Sequence, residues 1–359
     1  MPLLIGALAH PVLRMRLAPE TRKARALHGQ LQGGAVAGIL PGGFPSHQPG
    51  PGEIPAWDSP WTPALHRYAA IFGLEPQDID GREVLGVEPG AADDRNWQPE
   101  LAGAMADWLL HLPADLAAET IRSRLPNIAT WVASRERAAR DTTGLPRIGP
   151  AGDERLQILS VAEPYAEFFS VEKLILRHRR HRGDWTPDVL RAVFVSGDAT
   201  VVLPWDPVRD RVLLIDQFRA GPAARGDLQP WFYETIAGRV DPAEAPQTAA
   251  LREAVEEAGL HIRQLIAGPH NYASPGVLAE FLYLYVGIAD LPDEAAGFGG
   301  LDAEDEDIRS HLLPRTELTR MALAGEIRNG PLLNLALWLE LSHERIRMEL
   351  PQERVGLIP

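Results

Sequence analysis

Residues 238–260 read GRVDPAEAPQTAALREAVEEAGL, and this segment is the most informative in the chain. It predicts a helix from about Pro246 to Ala258 that ends at Gly259. With about 100° per residue, one arc of this helix collects the apolar side chains Leu251, Ala254, Val255 and Ala258. The opposite arc carries the carboxylates of Glu253, Glu256 and Glu257, with Arg252 at its edge. We expect the apolar arc to pack on a β-sheet while the opposite arc holds the carboxylates.

The three carboxylates allow two interpretations. A helix face of this kind, taken alone, is most often simply solvated. However, like charges at neighbouring positions repel each other unless a cation neutralises them, and these charges follow a strand and a glycine turn. Carboxylate oxygens on a rigid scaffold suit Mg²⁺ or Mn²⁺. The segment therefore favours a site for a divalent metal ion.

The same segment resembles the signature of the Nudix family, G-x5-E-x7-R-E-U-x-E-E-x-G-U, where U is a bulky apolar residue. Its polar and glycine positions are all matched here, by Gly238, Glu244, Arg252, Glu253, Glu256, Glu257 and Gly259. Ala254 is a smaller residue than usual at the first apolar position. The resemblance implies a Mg²⁺-dependent hydrolase, with Mn²⁺ as a possible substitute, that acts on a nucleotide diphosphate.

This resemblance also implies roles for individual residues. Glu253, Glu256 and Glu257 would bind the metal ion, together with the backbone carbonyl of Ala237 beside Gly238. Arg252 and Glu244 would orient and neutralise the carboxylates. A metal ion bound in this way screens the charge of the diphosphate and activates a water molecule for attack on phosphorus.

Flanking residues resemble the ADP-ribose pyrophosphatase branch of the family. Pro275 follows Gly259 by sixteen positions, and Gln217-Phe218-Arg219 precedes the signature. The acidic stretch at residues 300–308 by itself would be a solvated loop, but in this branch such a loop supplies a base and a metal ligand. Glu304 is then the candidate base and Glu306 the candidate ligand. The implied substrate-binding residues are Arg191, Arg219, Gly238, Pro275 and Glu280.

The implied reaction converts ADP-ribose into AMP and ribose 5-phosphate. A different nucleotide sugar such as GDP-mannose is the alternative substrate, and a sensor that binds ADP-ribose without cleaving it is the alternative function. A pure sensor does not need a complete set of metal-binding carboxylates, which favours the enzyme. Members of this branch are typically dimers, and segments such as residues 169–191 often supply exchanged strands, so we expect a homodimer through the Nudix domain.

The first part of the chain carries a separate resemblance. Residues 3–8, LLIGAL, resemble the opening loop of γ-glutamylcyclotransferase-like domains, with Ile5 and Ala7 at polar positions of that loop. Tyr68 is followed by Ala69 and Ala70, where those domains have a catalytic Glu after a Tyr. This implies a degenerate, smaller α+β domain of β-barrel-like form. Its combination with a Nudix domain resembles the tellurite-resistance-associated Nudix proteins of bacteria.

Two domains are expected from the length of 359 residues and from the Gly- and Pro-rich stretch after Asp141. We predict a degenerate cyclotransferase-like domain over residues 1–145 and a Nudix domain over residues 155–359. Mixed strands with few helices follow the linker and predict an α/β (α+β) protein whose second domain is an α/β/α sandwich with a mixed sheet.

Composition limits the possible partners. The formal net charge of -14 argues against nucleic acid, because phosphate backbones select clustered Lys and Arg. The chain has no Cys, which excludes disulfides and thiolate chemistry. No stretch approaches the roughly 20 apolar residues needed to cross a bilayer. We therefore expect a cytoplasmic enzyme that binds a small nucleotide sugar and neither nucleic acid nor membrane.

Overall fold

The computed structural model describes residues 1–86, 97–141, 155–300 and 307–350. The chain forms two compact units, Met1–Ser196 and Gly197–Pro359. The predicted boundary between the two domains, at residues 145–155, stays a prediction. It concerns where one evolutionary domain ends and the next begins, and the packing of the chain does not test that.

The first unit combines six helices and ten strands within the described residues. The helices are α1 (Gly6–Ala9), α2 (Pro11–Leu17), α3 (Pro63–Phe72), α4 (Pro99–His111), α5 (Ala118–Ser123) and α6 (Leu125–Arg140). The strands are β1 (Leu3–Leu4), β2 (Arg22–Lys23), β3 (Leu27–Gln32), β4 (Ser46–Ile54), β5 (Trp57–Asp58), β6 (Gln77–Ile79), β7 (Arg82–Leu85), β8 (Leu156–Ala166), β9 (Ser170–His178) and β10 (Val189–Val195).

Three small sheets organise this unit. The first has the order β2-β5-β1-β7-β6, with β1 parallel to β7 and the other pairs antiparallel. Strands β3 and β4 pair separately, and β8, β9 and β10 form an antiparallel meander. The predicted α+β character is confirmed, but among the described strands the five-stranded sheet is open at β2 and β6 and does not close into a barrel. Strands of two to four residues are too short to curve into one.

The second unit begins with a β-hairpin and ends with two helices. Its elements are β11 (Ala199–Asp206), β12 (Arg211–Phe218), α7 (Ala220–Arg225), β13 (Trp231–Glu234), β14 (Ile236–Arg239), α8 (Pro246–Ala258), β15 (Gln264–Ala267), β16 (Asn271–Tyr272), β17 (Phe281–Ile288), a 3₁₀ turn (Asp293–Ala295), β18 (Phe298–Gly299), β19 (Ile308–Pro314), α9 (Arg315–Leu323) and α10 (Gly330–Glu349).

One mixed sheet forms the centre of this unit. Its main order is β15-β17-β11-β12-β19-β18, and β13, β14 and β16 extend it from β12, β11 and β17. Strands β11 and β17 are parallel, whereas the remaining pairs are antiparallel. Because side chains alternate along a strand, each strand contributes to both faces of the sheet.

The two faces of the sheet support different helices. Val201, Leu203 and Trp205 of β11 pack with residues of α9 and α10 in one core cluster. Val202 of the same strand packs with Ala250 and Ala254 of α8 in the other. The helix–sheet–helix layering confirms the predicted α/β/α sandwich and places the sequence segment of residues 238–260 on one outer layer.

Within the described residues, none of the helices is both long enough and apolar enough to span a membrane.

Candidate active site

Helix α8 has the bounds that the sequence predicts, from Pro246 to Ala258. Gly259 follows it with φ of 62°, the left-handed conformation that a glycine adopts without a steric penalty. Its amide donates to the carbonyl of Val255, which satisfies one of the last carbonyls of the helix. The glycine stop thus sets where the acidic turns of the helix end.

The predicted orientation of α8 is correct for Ala254 and Ala258, which pack on the sheet, but wrong for Leu251 and Val255. Leu251 and Val255 are exposed by 42% and 46%, whereas Ala250, Ala254 and Glu257 are buried. The buried arc is therefore rotated toward the carboxylates by roughly 100°, one residue step of the helix. The expectation that only apolar side chains face the sheet fails here because local interactions compensate the cost of burying carboxylates. Small alanines and acidic residues therefore share the face that packs on the sheet.

Arg252 is the centre of the interactions that compensate these charges. Its guanidinium forms ion pairs with Glu244 at 3.0 Å and with Glu253 and Glu256 at 2.8 Å each. Its Nη2 also donates to the carbonyl of Arg239. Partial burial acts to lower the pKa of Arg252, but the hydrogen bonds and charges of the surrounding carboxylates raise it overall, so the guanidinium stays charged. This geometry supports the predicted orienting role of Arg252 and Glu244.

Glu253 and Glu257 lie against two consecutive residues of β14. The amide of Ala237 donates to Oε2 of Glu257 at 3.0 Å, and Glu257 is 2% exposed. The carboxylate of Glu253 lies directly over the Cα of Gly238, at a position where a Cβ would overlap it. A glycine at position 238 is therefore required by close approach, and β14 holds both carboxylates on the same side of α8.

The donor set fits a divalent metal ion. Glu253, Glu256 and Glu257 present hard oxygen ligands within two turns of one helix, and they lie beside the backbone of β14. In the part of the chain that the structure describes, however, no three His, Asp or Glu side chains already converge as a metal-binding group. Glu253 and Glu256 instead bind Arg252. A metal ion would therefore have to compete with this guanidinium for carboxylate oxygens.

Glu304 and Glu306, the candidate base and the candidate extra ligand, lie outside the described residues. The residue Gly299, which precedes the acidic stretch, is described. A Cβ on Gly299 would lie 2.9 Å from the carbonyl carbon of Glu257, which means that β18 packs tightly on the backbone of α8. The chain thus enters the acidic stretch beside a predicted metal ligand.

Arg219 follows β12 and precedes α7. Its Nε and Nη2 donate to one oxygen of Glu234, at 3.0 and 2.7 Å. Glu234 is 5% exposed, whereas the Arg219 side chain remains 41% exposed. Sequence reasoning missed Glu234, which follows the three aromatic residues Trp231, Phe232 and Tyr233 in β13. It fixes the direction of the guanidinium that we predict to contact substrate.

Pro275 lies in the loop before β17, and Glu280 lies just before the start of β17, at the same end of the sheet as the Gly238–Arg239 end of β14. Pro275 is exposed in a turn in which the amides of Val277 and Leu278 donate to the carbonyl of Ser274. Glu280 immediately precedes β17 and lies close enough to Arg239 for its charge to act on that residue. Burial lowers the pKa of Arg239, and the Glu280 carboxylate opposes this change. Sequence reasoning did not single out Arg239, which lies next to Gly238.

Arg191 belongs to β10 in the first unit and is exposed, with Nη1 donating to the carbonyl of Leu190. Its predicted role in substrate binding stays a prediction.

Comparison with known proteins agrees with this geometry. The model of the NUDIX domain family matches residues 196–335. The ADP-ribose pyrophosphatase of Escherichia coli strain K12 is 35% identical over 198 residues, which cover 55% of this chain and 94% of that protein. The ADP-ribose pyrophosphatase of Haemophilus influenzae is 32% identical over 194 residues, covering 54% of this chain and 89% of that protein. The GDP-mannose pyrophosphatase of Salmonella arizonae is 32% identical over 153 residues, covering 43% and 78%.

The similarity to the Escherichia coli protein extends beyond the second unit. An alignment of 198 residues is longer than the 163 residues from Gly197 to Pro359, so it must include β9 and β10 before Gly197. Strands that pack in the first unit are thus part of the similar region. With the signature residues on α8 and nearly the full length of a relative covered, the chain belongs to the Nudix family.

Proposed function

We propose that this protein is a Mg²⁺-dependent nucleotide-sugar diphosphatase that hydrolyses ADP-ribose to AMP and ribose 5-phosphate. The observation that carries the proposal is that Arg252 pairs with Glu244, Glu253 and Glu256 while the amide of Ala237 holds Glu257 on the same helix. Two relatives with that named activity are covered by this chain over 94% and 89% of their lengths.

The carboxylates of Glu253, Glu256 and Glu257, the carbonyl of Ala237 and Glu306 would hold the metal ion. When bound, Mg²⁺ screens the diphosphate charge and supplies a water molecule of lowered pKa. Mn²⁺ prefers similar ligands and would serve as a substitute.

The chain's own residues have separate tasks. Arg252 orients Glu244, Glu253 and Glu256, since its guanidinium forms an ion pair with each of them. Glu234 holds the guanidinium of Arg219 in one direction by accepting from its Nε and Nη2, and a guanidinium oriented in this way suits a phosphate oxygen. Glu304 would accept the proton of the attacking water molecule.

ADP-ribose is the leading substrate because the two ADP-ribose pyrophosphatases align with this chain over 198 and 194 residues, more than the GDP-mannose pyrophosphatase does. GDP-mannose is the second candidate, supported by the relative that is 32% identical over 153 residues. The sensor alternative is disfavoured, because a protein that only binds its ligand has no use for three carboxylates and the arginine that orients them.

Incubation with Mg²⁺ and a panel of nucleotide sugars tests the substrate. We expect the highest kcat/KM for ADP-ribose, with AMP and ribose 5-phosphate as products. Higher kcat/KM for GDP-mannose would reassign the substrate, and binding of ADP-ribose without turnover of any panel member would refute the enzyme. Glu257→Gln should abolish turnover, whereas the matched control Glu344→Gln, at an exposed position of α10, should retain it.

A homodimer through the Nudix domain is part of the proposal. The β8–β10 meander leaves several large apolar side chains 37–65% exposed, among them Ile158, Phe168, Ile175 and Leu190. Ile175 and Leu190 are paired across β9 and β10, so their side chains share one face. Such a patch indicates an interaction surface. Sedimentation of the full chain should give a dimer, and Ile175→Arg should shift it toward a monomer.

We propose that the first unit descends from a cyclotransferase-like domain without its catalysis. Tyr68 is fully buried against Phe44 and Phe72, and burial raises the pKa of its hydroxyl. It is a core residue, and it is followed directly by Ala69 and Ala70. The purified protein should therefore show no cyclotransferase activity. We also propose that the protein is cytoplasmic and that it belongs with the tellurite-resistance-associated Nudix proteins. The tellurite sensitivity of a deletion strain tests the link to tellurite resistance.

A further inference from the structure

Thr200 is a buried residue of β11 that the proposed function does not use. Its side chain is fully buried, and among the described residues its Oγ1 has no hydrogen-bond partner. Buried polar groups in native proteins almost always have a partner, so an unpaired hydroxyl requires an explanation. Because this hydroxyl has no contact with solvent, its partner must be a group that already packs against the same face of the sheet.

The pattern of β11 places Thr200 on the side of the sheet that α8 covers. Val202, two residues further along this strand, packs with Ala250 and Ala254 of the helix. Side chains alternate along a strand, so Thr200 and Val202 lie on the same face. The Thr200 side chain therefore lies on the face of the sheet that supports the helix with the predicted metal ligands.

The residue paired with Thr200 in the neighbouring strand leaves room for a carboxylate. Thr200 is paired with Gly238 of β14. Glu253 occupies the space where a side chain at Gly238 would lie, and its Oε2 is 2.6 Å from the position of a Cβ there. Opposite Cβ positions of an antiparallel pair are about 4.5–5.5 Å apart and lie on the same face. The Glu253 carboxylate is thus the cross-strand neighbour of the Thr200 hydroxyl, and a small side-chain rotation can bring the two to a hydrogen-bond distance of about 2.5–3.0 Å.

Arg252 holds the carboxylate of Glu253 from the side of the helix. A single nitrogen, Nη1 of Arg252, donates to Oε1 of Glu253 and to Oε2 of Glu256, at 2.8 Å each. A divalent cation bound by the same two carboxylates would repel this guanidinium and compete with it for their oxygens. Glu253 would then need another donor, because carboxylates that bind metal ions are themselves usually held by hydrogen bonds.

We propose that Thr200 is a positioning residue for Glu253 when the metal ion is bound, an inference that rests on the proposed function. Its hydroxyl donates a hydrogen bond to the Glu253 carboxylate and takes over from Nη1 of Arg252. Neither side chain has to leave the space between α8 and the β11–β14 pair. The hydroxyl is therefore unpaired while Glu253 binds Arg252 and paired once Glu253 binds the metal ion.

Binding of Mn²⁺ to the full chain without substrate tests the proposal, with free Mn²⁺ followed by its electron paramagnetic resonance signal. Thr200→Val removes the hydroxyl and keeps nearly the same shape. It should weaken Mn²⁺ binding at least about 10-fold, the effect usual for a residue that orients a metal ligand. Thr200→Ser keeps the hydroxyl and should bind Mn²⁺ as the wild type does. Wild-type affinity in Thr200→Val, or equal weakening in both variants, overturns the proposal.

Thermal unfolding in the presence of a chelator separates this role from a structural one. A hydroxyl without a partner does not stabilise the fold, so without metal Thr200→Val should unfold at the wild-type temperature or slightly above it. Thr130→Val is the matched control, because Thr130 is a buried residue of α6 whose hydroxyl donates to the carbonyl of Pro126. This control should unfold at a lower temperature and keep its affinity for Mn²⁺. A decrease in Thr200→Val as large as in Thr130→Val would assign Thr200 to the fold and overturn the proposal.

The Mn²⁺ titration also distinguishes a failure of this proposal from a failure of the proposed function. If the wild type binds no Mn²⁺, the metal site on α8 is refuted and the role of Thr200 falls with it. If the wild type binds Mn²⁺ and Thr200→Val binds it equally well, the metal site stands and only the role of Thr200 is refuted.

Discussion

Gly238→Ala should inactivate the enzyme while leaving it folded. A Cβ at this position would lie 2.6 Å from Oε2 of Glu253 and nearer still to Oε1 and Cδ, whereas ordinary contacts begin at 3.4 Å. The Glu253 carboxylate must therefore move by about 1 Å. Misplacement of a catalytic group by about 1 Å costs about 100-fold in rate, equivalent to about 2.7 kcal/mol of activation free energy. We expect kcat/KM for ADP-ribose to fall about 100-fold and the Mg²⁺ concentration for half-maximal activity to rise.

The same substitution should have a modest effect on stability, since the overlap involves the end of a side chain and not the backbone. Overpacking of this kind costs about 1–3 kcal/mol, and circular dichroism should show a folded protein at the assay temperature. Gly330→Ala is the matched control, because nothing lies within 4 Å of its Cβ position. Wild-type kcat/KM and Mg²⁺ dependence in Gly238→Ala would refute the argument that close approach at Gly238 positions Glu253.

Three further changes test other parts of the structure. Arg252→Gln removes the positive charge that pairs with three carboxylates, so it should lower the free energy of unfolding in urea by about 1–3 kcal/mol, a range that is discounted for partial exposure. Excess Mg²⁺ should restore part of this loss, because it binds the folded state. An equal loss with and without Mg²⁺ would contradict this prediction. Glu234→Gln frees the guanidinium of Arg219 and should raise KM for ADP-ribose about fivefold with little change in kcat, whereas an unchanged KM would remove Arg219 from the site. Burial acts to raise the pKa of Asp206, but hydrogen bonds from the amides of Val208, Arg209 and Leu291 and from the Arg209 side chain lower it overall. The ionised Asp206 therefore stabilises the folded state above the unfolded pKa of about 3.9, and this stability is lost as the pH falls through the lower folded pKa. Asp206→Asn should be less stable at pH 7, and its free energy of unfolding should fall less steeply in acid. Parallel pH profiles of the two proteins would contradict this prediction.

Much of the second unit could be predicted from the sequence because its signals are local. Helix α8 has the predicted bounds, since Gly259 stops it. The first unit was harder. Residues 3–8 were assigned only by their resemblance to a loop, and in the structure Leu3 and Leu4 form β1 while the helix α1 begins at Gly6. Strands of two residues carry no periodic pattern, so their pairing is decided by contacts distant in sequence.

The site shows the same division. The spacing of the signature identified the cluster around Arg252, because a helix and one preceding strand bring those residues together. The rotation of α8 could not be predicted, since the hydrogen bond from Ala237 and the contact at Gly238 that allow buried carboxylates are tertiary. Glu234 was missed for the same reason, because its role depends on the pairing of β12 with β13.

Release of AMP and ribose 5-phosphate from ADP-ribose, followed as a function of Mg²⁺ in wild type and in Glu257→Gln, tests the central claim most directly. We predict Mg²⁺-dependent formation of both products in equal amounts by the wild type, none after chelation, and a loss of at least about 100-fold in the variant. Product formation that persists under chelation, or full activity in Glu257→Gln, would contradict the assignment of the α8 carboxylates as the metal-dependent site.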